Sequence, residues 1–303
     1  MADTPKLESV FETNANKDFL RLSYDGALIK NWRTVQGKPL KYLGLPAWQM
    51  LDVIAWQDYL GRFTTIERKE NEQHLLFLKA NIRNIENRLH SLYGEFDQIL
   101  INGRDEYGNA PEWPYDLANL DYFGGFLYSN MARPKAIRKL ISNQSVYEQS
   151  FMLIITQQLR DRDVAGEKLS FLKDLQKSLK SGILDSKLHP EIDNVIEWYE
   201  SATIPDAARQ ALYINYFLRD AGETEHFDVS CRPAIIYPGT GGAWMIHFVT
   251  DFRFRSGIAH RAASDQSLVE LINLGLLEVQ EGGFAKPRFI QPKLSAGGQR
   301  NGR

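Results

Sequence analysis

The chain has 303 residues, with 36 Lys and Arg against 38 Asp and Glu, and 43% of its residues are apolar. Such a composition can bury enough apolar surface to offset chain entropy, so it excludes extensive disorder and predicts one large domain or two modest ones. The formal charge of −2 provides no global field that would attract nucleic acid or anionic lipid. The single cysteine, Cys231, excludes an intrachain disulfide framework and a cysteine-rich zinc site.

The N-terminal residues are mixed and acidic, without the apolar segment of a signal peptide or an anchor. The longest apolar run, FMLIIT, suits a buried strand and is far too short to cross a membrane. We therefore expect a cytoplasmic protein that does not enter a membrane.

From Tyr42 onward, apolar runs alternate with helical patterns, which favours helices packed on a mostly parallel sheet. Strands are predicted, in chain order, for KYLG, RFTTIE, RLHSLY, YDLANLDYFGG and SFMLIIT, although RLHSLY also continues a helical spacing. Helices are predicted for WQMLDVIAWQDYL, for a segment starting near Glu70, and for FDQILING and PKAIRKLISNQ. The helix near Glu70 places Leu75, Leu78 and Ile82 on one face, which we expect to be the buried one.

The remaining third of the chain shows three further features. A polar, helix-rich segment over about residues 160–205 is interpreted as an insertion, and Asp206 begins another helix. HFDVSCRPAIIYPG and AWMIHFVTDFRF then predict a hairpin that turns around residues 239–242. We expect an N-terminal extension (1–40), an α/β domain (41–255) and a small basic C-terminal appendage (256–303).

This order, strand and helix repeated five times before a helix and a closing antiparallel hairpin, resembles that of the class I S-adenosylmethionine-dependent methyltransferases. The sheet of that family has seven strands and ends in a reversed strand. The resemblance covers about residues 42–254 and implies a Rossmann-like α/β fold, S-adenosylmethionine as cofactor and methyl transfer as the activity.

The resemblance also implies roles for residues near the strand ends. Glu67, at the end of RFTTIE, would accept hydrogen bonds from both ribose hydroxyls of the cofactor, and Glu95 would meet the adenine amine. Asn119 would join the cofactor site. Asp121 would orient the methyl acceptor, and Tyr122 would form the wall beside it, since methyl transfer needs alignment more than acid–base chemistry. The structural alternatives are that Glu67 caps the next helix and that Asp121 caps a turn.

Two motifs depart from the family pattern. The glycine-rich turn after the first strand is replaced by LGLPAW, in which Gly44 alone would pass the methionine part of the cofactor and Pro46 removes a donor. LDYFGG is not the NPPY or DPPY tetrapeptide of enzymes that methylate amino groups of nucleic acids. Binding of the cofactor and the nature of the methyl acceptor both stay open.

Other chemistries lack their signatures. The histidines show no HxH or HExxH spacing, which argues against a metal site. The sequence contains no GxGxxG, GxxxxGK[ST] or GxSxG motif for nicotinamide cofactors, nucleotide phosphates or serine hydrolases.

The C-terminal end is locally basic. A helix over DQSLVELINLGLLEV, followed by a hairpin in EGGFAKPRFIQPK, resembles the recognition helix and wing of winged-helix domains. We expect any nucleic-acid contact to involve Arg253, Arg255, Arg261, Lys286 and Arg288.

The leading hypothesis is a methyltransferase, or a diverged relative, that acts on nucleic acid or a nucleotide-like substrate. The alternative is a catalytically silent Rossmann-like subunit of a nucleic-acid-handling or anti-phage defence complex, because the glycine-rich turn is missing. A third possibility is hydrolysis or lyase chemistry in the same cleft.

Overall fold

The computed structural model describes residues 14–46, 49–122, 124–126, 132–159, 165–182, 189–201, 206–256, 265–286 and 292–295. One sheet contains ten strands: β1 (Leu40–Gly44), β2 (Leu60–Glu67), β3 (Leu89–Tyr93), β4 (Leu117–Asp121), β5 (Phe151–Gln158), β6 (Phe227–Cys231), β7 (Ala234–Pro238), β8 (Trp244–Phe254), β9 (Leu276–Gln280) and β10 (Gly283–Ala285). Their order across the sheet is β10-β9-β7-β8-β5-β4-β1-β2-β3, and β6 also pairs with β8.

The strand directions match the arrangement that the resemblance implies. Strands β3, β2, β1, β4 and β5 are parallel, and β8 runs antiparallel to β5. Strands β6 and β7 lie end to end along β8, interrupted at residues 232–233, so they act as one strand of a hairpin with β8. The predicted α/β class, with a mostly parallel sheet and a C-terminal antiparallel hairpin, is confirmed.

The described helices are α1 (Ala15–Asp18), α2 (Gly26–Gln36), α3 (Leu51–Trp56), α4 (Glu70–Ile82), α5 (Phe96–Asn102), α6 (Ala132–Val146), α7 (Ala165–Gly182), α8 (His189–Glu200), α9 (Asp206–Thr224) and α10 (Asp265–Asn273). A π-helical segment, Phe19–Asp25, joins α1 to α2. We call residues 15–36 the N-terminal helical segment. No described helix combines the length and the apolarity that a membrane crossing requires.

Helices cover both faces of the sheet. Along β5, Leu153 and Ile155 belong to a core that includes residues of α5, α6 and α9. Met152 and Ile154, which alternate with them, belong to a second core that includes residues of α2, α3 and α4. An apolar strand without polar alternation is the expected sequence for a strand buried on both faces. Helices α7 and α8, within the predicted insertion, pack together and form a third core with α9 and α10.

Two helical predictions need correction. Helix α3 starts only at Leu51, because Met50 has a left-handed backbone with φ of 53° that interrupts helical geometry before it. Helix α4 starts at Glu70 as predicted, but Leu78 is 59% exposed and Ile82 is 75% exposed, while Leu76 is fully buried. The run LLFL puts apolar side chains on almost every side of the helix, so periodicity could not select the buried face.

The C-terminal part also differs from the prediction. Helix α10 ends at Asn273, and Gly275 takes a left-handed φ of 75°, so LLEVQ forms a strand. That strand, β9, pairs with the free edge of β7 in parallel, and β10 returns antiparallel to β9. The described residues beyond 255 therefore include two strands of the main sheet, instead of the wing of a winged-helix unit.

Candidate functional site

The candidate site lies where the strand order reverses. Strands β1 and β4 are neighbours, and the chain leaves β1 toward β2 on one side and leaves β4 toward β5 on the other. In open α/β sheets, ligands bind at such a switch point, beyond the carboxyl ends of the strands. Gly44, Glu67 and Asp121 end β1, β2 and β4, as the sequence predicts.

Four charged side chains meet at this point. Lys17 Nζ lies 3.1 Å from Asp121 Oδ2, and Arg21 Nε lies 2.5 Å from Asp52 Oδ1. Asn119 Nδ2 donates to the other oxygen of Asp52 at 2.8 Å. We call Lys17, Arg21, Asp52 and Asp121 the charged quartet. The charge of Asp121 is the main cause that raises the pKa of the Lys17 ammonium.

Sequence reasoning found only Asp121 and Asn119 among these residues. Lys17 and Arg21 come from the N-terminal helical segment, and Asp52 comes from the first turn of α3. The available signal was the spacing of Lys17, Arg21 and Asp25, which recur every four residues in the printed sequence. That signal indicates a shared helical face, but it does not say that the face meets the sheet.

The charged quartet borders a small cavity. The cavity holds about 30 Å³, enough for roughly two water molecules. The other residues that line it are Leu20, Asp25, Trp56, Asn119, Thr156, Tyr237 and His247. Most of these side chains are polar, so the cavity suits water or a polar ligand group.

Gly44 packs closely against a side chain of its own strand, β1. A Cβ atom at Gly44 would lie 2.0 Å from the hydroxyl oxygen of Tyr42 and 2.3 Å from its Cζ atom. The Tyr42 side chain is fully buried, and its hydroxyl finds no hydrogen-bond partner in the described part of the chain. A side chain at position 44 would thus clash with the Tyr42 ring, so glycine is required at this position by the packing of β1.

Glu67 and Glu95 have partners within the protein. Glu67 Oε1 accepts hydrogen bonds from the backbone N–H groups of Arg68 and Lys69, at 2.9 and 3.2 Å, which closes the turn before α4. Burial is the largest cause that raises the pKa of Glu67. The Glu95 side chain is 60% exposed and pairs with Arg68 at 3.1 Å. Their cofactor roles stay predictions, although Glu67 stands at the expected strand end.

Tyr122 is directed into the protein core. Its hydroxyl donates to Asp97 Oδ1 at 3.2 Å, and the Arg133 guanidinium lies 4.3 Å from the ring centroid. Arg133 also donates to the carbonyl of Gly125, which ties α6 to the LDYFGG segment. Tyr122 does not line the cavity beside Asp121, so the structure does not bring these two predicted catalytic residues together.

The predicted nucleic-acid residues lie away from this cavity. Phe252 pairs with Phe151 at the start of β5, whereas Met245 pairs with Gln158 at its end. Arg253 and Arg255 therefore lie near the amino-terminal end of β5, whereas the charged quartet lies near the carboxyl ends of the parallel strands. Arg255 Nε is 3.1 Å from Asp228 Oδ1, and the same guanidinium donates to the carbonyl of Phe227.

Three other basic residues are predicted to contact nucleic acid. Lys286 is exposed and follows β10, at the outer edge of the sheet. Arg261 and Arg288 lie outside the described residues. Nucleic-acid binding at these positions stays a prediction.

The charges of the quartet can be compared with the charged groups of S-adenosylmethionine. The amino-acid end of the cofactor carries one carboxylate and one ammonium, and the charged quartet offers two cations and two carboxylates. The adenosyl part needs far more than 30 Å³. The residues present thus fit the amino-acid end of the cofactor.

The chain is similar to several solved structures at low sequence identity, among them methyltransferases. The chain is similar to the SAM-dependent methyltransferase of Agrobacterium tumefaciens (10% identity, 78% of this chain, 62% of that one, TM-score 0.43). It is also similar to P. horikoshii TYW2 in complex with MeSAdo (11%, 82%, 67%, 0.41) and to an O-methyltransferase family protein of Burkholderia thailandensis (11%, 78%, 58%, 0.38).

The chain spans less than two thirds of the length of the Agrobacterium enzyme. No protein-family profile matches the sequence, and no curated protein matches it either. The chain has a diverged fold of the class I methyltransferase type, as its own strand order and reversed strand β8 show.

Proposed function

We propose that the protein is an S-adenosylmethionine-dependent methyltransferase in which the charged quartet holds the amino-acid end of the cofactor. The observation that carries this proposal is the meeting of two ion pairs at the switch point of a methyltransferase-type sheet. Taking charges out of water costs several kcal/mol per ion, so inward-facing charged clusters are uncommon in purely structural positions. Clefts that gather such groups are candidate functional sites.

The Arg21–Asp52 pair can exchange partners without leaving a charge unpaired. Within the charged quartet, Arg21 would bind the carboxylate of the cofactor and Asp52 would receive its ammonium, while Lys17 stays paired with Asp121, which would orient the methyl acceptor. Each new pair replaces one that is already present, so the exchange avoids the large penalty of a lone buried charge. When bound, the cofactor supplies an electrophilic methyl group. Glu67, whose Oε2 takes no part in the turn described above, would accept from the ribose.

Calorimetry with two ligands tests this assignment. S-adenosylhomocysteine carries the amino-acid end, and methylthioadenosine lacks it. We expect Arg21→Gln to weaken binding of S-adenosylhomocysteine by about 10 to 100-fold, which is the loss expected for a hydrogen bond to a charged group. The same substitution should leave the binding of methylthioadenosine unchanged. Arg138→Gln is the matched control, because Arg138 forms an exposed ion pair with Asp220 on other helices.

Two results would contradict the proposal. No heat from either ligand with the wild-type protein at millimolar concentration excludes a cofactor site of this kind. Equal losses for both ligands in Arg21→Gln would place the effect on the fold or on the adenosyl part, and the charged quartet would lose its assigned role.

We further propose that the acceptor is nucleic acid or a nucleotide-like molecule. The basic residues at the C-terminal end support this, and exposed Arg253 is the cleanest probe because Arg255 is engaged in structural contacts. Arg253→Gln should reduce the slope of log affinity for tRNA against log salt concentration by about one. An unchanged slope would remove Arg253 from the interface.

A catalytically silent module is the second candidate. The observation that favours it is the Tyr42 ring, which occupies the space beside Gly44. Under this reading the charged quartet is a structural bridge between the N-terminal helical segment and the sheet. Absence of ligand heat, together with stable co-purification of a defined partner that survives Asp121→Ala, would favour it over the enzyme.

A further inference from the structure

Three buried polar side chains form a hydrogen-bonded chain that ends at the cavity. His247 Nε2 lies 3.0 Å from Asp25 Oδ1, and His247 Nδ1 lies 2.8 Å from Thr156 Oγ1. Asp25, His247 and Thr156 are 4%, 3% and 7% exposed, and all three line the cavity of the charged quartet. The three residues come from the π-helical segment, β8 and β5, which are distant in the sequence.

The direction of the chain depends on the tautomer of His247. A carboxylate only accepts hydrogen bonds, so a neutral His247 that donates to an Asp25 carboxylate would carry its proton on Nε2. The Nδ1 atom is then an acceptor, and the Thr156 hydroxyl must donate its only proton to it. The lone pairs of Thr156 Oγ1 therefore remain to accept a hydrogen bond from whatever occupies the cavity.

Thr156 stands beside the residue predicted to orient the methyl acceptor. Strands β4 and β5 pair in register with Asp121 opposite Thr156. Other ionisable groups around the cavity are Lys17 and Arg21 on the N-terminal helical segment, Asp52 on α3 and Tyr237 on β7. None of these four groups forms a hydrogen bond with His247, so among the described residues the polar partners of the ring are Asp25 and Thr156.

We propose that Thr156 is a catalytic residue that removes a proton from the methyl acceptor, with His247 as the final base and Asp25 as the residue that positions the imidazole. This inference rests on the proposed methyltransferase function and deepens it. The proton of the acceptor N–H or O–H passes to Thr156 Oγ1 as the threonine proton passes to His247 Nδ1. The acceptor atom keeps the electron pair of the broken bond, and the imidazolium formed is balanced by the Asp25 carboxylate. The acceptor is therefore a nitrogen or oxygen nucleophile that carries a proton.

Nuclear magnetic resonance of protein labelled with ¹⁵N-histidine tests the direction of the chain without any acceptor. At pH 7.5 we expect the His247 signal, identified by its loss in His247→Asn, to show a neutral ring protonated at Nε2. Asp25→Asn should move the proton to Nδ1, because an amide nitrogen donates to Nε2 and reverses the chain. A wild-type ring protonated at Nδ1, or at both nitrogens, would overturn the proposal.

Methyl transfer from radiolabelled S-adenosylmethionine to bulk cellular RNA, DNA and protein tests the catalytic step. We expect Thr156→Val to slow single-turnover transfer by about 100-fold or more, the usual contribution of a general base, while the affinity for S-adenosylhomocysteine is unchanged. Thr65→Val is the matched control, since Thr65 Oγ1 is also buried but has no hydrogen-bond partner among the described residues and does not line the cavity.

Equal rates in the two valine variants would refute a catalytic Thr156. That failure is distinguishable from failure of the proposed function, because a wild-type protein that binds no S-adenosylhomocysteine would refute the methyltransferase assignment whatever the resonance experiment shows.

Discussion

The contact between Gly44 and Tyr42 provides a sharp test of how the first strand is packed. Replacing Gly44 with alanine would place a methyl carbon 2.0 Å from the Tyr42 hydroxyl oxygen, 2.3 Å from Cζ and 2.7 Å from Cε1. These distances are far inside van der Waals contact, and the Tyr42 ring is fully buried, so either the ring or strand β1 must move. We expect Gly44→Ala to lower the free energy of unfolding by about 3 kcal/mol, the upper range for overpacking a core.

Urea titration followed by circular dichroism measures this loss. The double variant Tyr42→Leu with Gly44→Ala should recover much of the loss caused by Gly44→Ala in the wild-type background, because the shorter side chain vacates the contact. Tyr42→Phe alone should be neutral or stabilising, since it removes a buried hydroxyl that has no hydrogen-bond partner in the part of the chain that the structure describes. A loss below about 0.5 kcal/mol for Gly44→Ala would show that the space beside Gly44 is open, and it would restore this position as a cofactor cradle.

Three further predictions concern other parts of the fold. Burial alone would raise the pKa of Asp105, but four hydrogen bonds from N–H groups outweigh it and lower the pKa below 3.8. The stabilisation is therefore fully present above about pH 5 and is lost as pH falls through the folded-state pKa. Asp105→Ala should cost about 2 kcal/mol at pH 7 and progressively less as the pH is lowered below 4, as measured by urea titration across this range. On α4, Leu76→Ala should cost about 3 kcal/mol and Leu78→Ala less than 0.5 kcal/mol in the same assay. A larger loss for Leu78→Ala would mean that the helix buries the face that the sequence suggested. Arg133→Met should cost about 2 kcal/mol, because it removes the cation over Tyr122 and the donor to the Gly125 carbonyl, and unchanged stability would show that neither contact matters.

The strands were predictable because their signals are local. SFMLIIT and RFTTIE are short, β-branched or aromatic runs between turn residues, and both lie at strand positions of the sheet. The reversed strand could be inferred from the alternating pattern on either side of residues 239–242. Element order then constrained the topology, since parallel strands joined by helices have few alternative arrangements.

The site was less accessible to sequence reasoning, because its members are joined only by the tertiary structure. Nothing near Asp52 in the sequence indicates that Arg21 and Asn119 both contact its carboxylate. The glycine in LGLPAW could be interpreted as a cofactor cradle, but its structural role depends on the rotamer of Tyr42 two residues earlier. Glu67, in contrast, accepts hydrogen bonds from the backbone N–H groups of the next two residues. This arrangement is local, and the sequence already indicated a capping role as the structural alternative.

The N-terminal helical segment has a consequence for how the chain folds during its synthesis. It is synthesised before two of its partners, because Asp25 contacts His247, 222 positions later, and Asn16 contacts Gly282, 266 positions later. Contacts of such long sequence separation form late and slowly. Residues 15–36 therefore cannot complete these contacts until His247 and Gly282 have been synthesised. A ribosome-bound chain that stops before β8 would lack His247, and the cavity could not close.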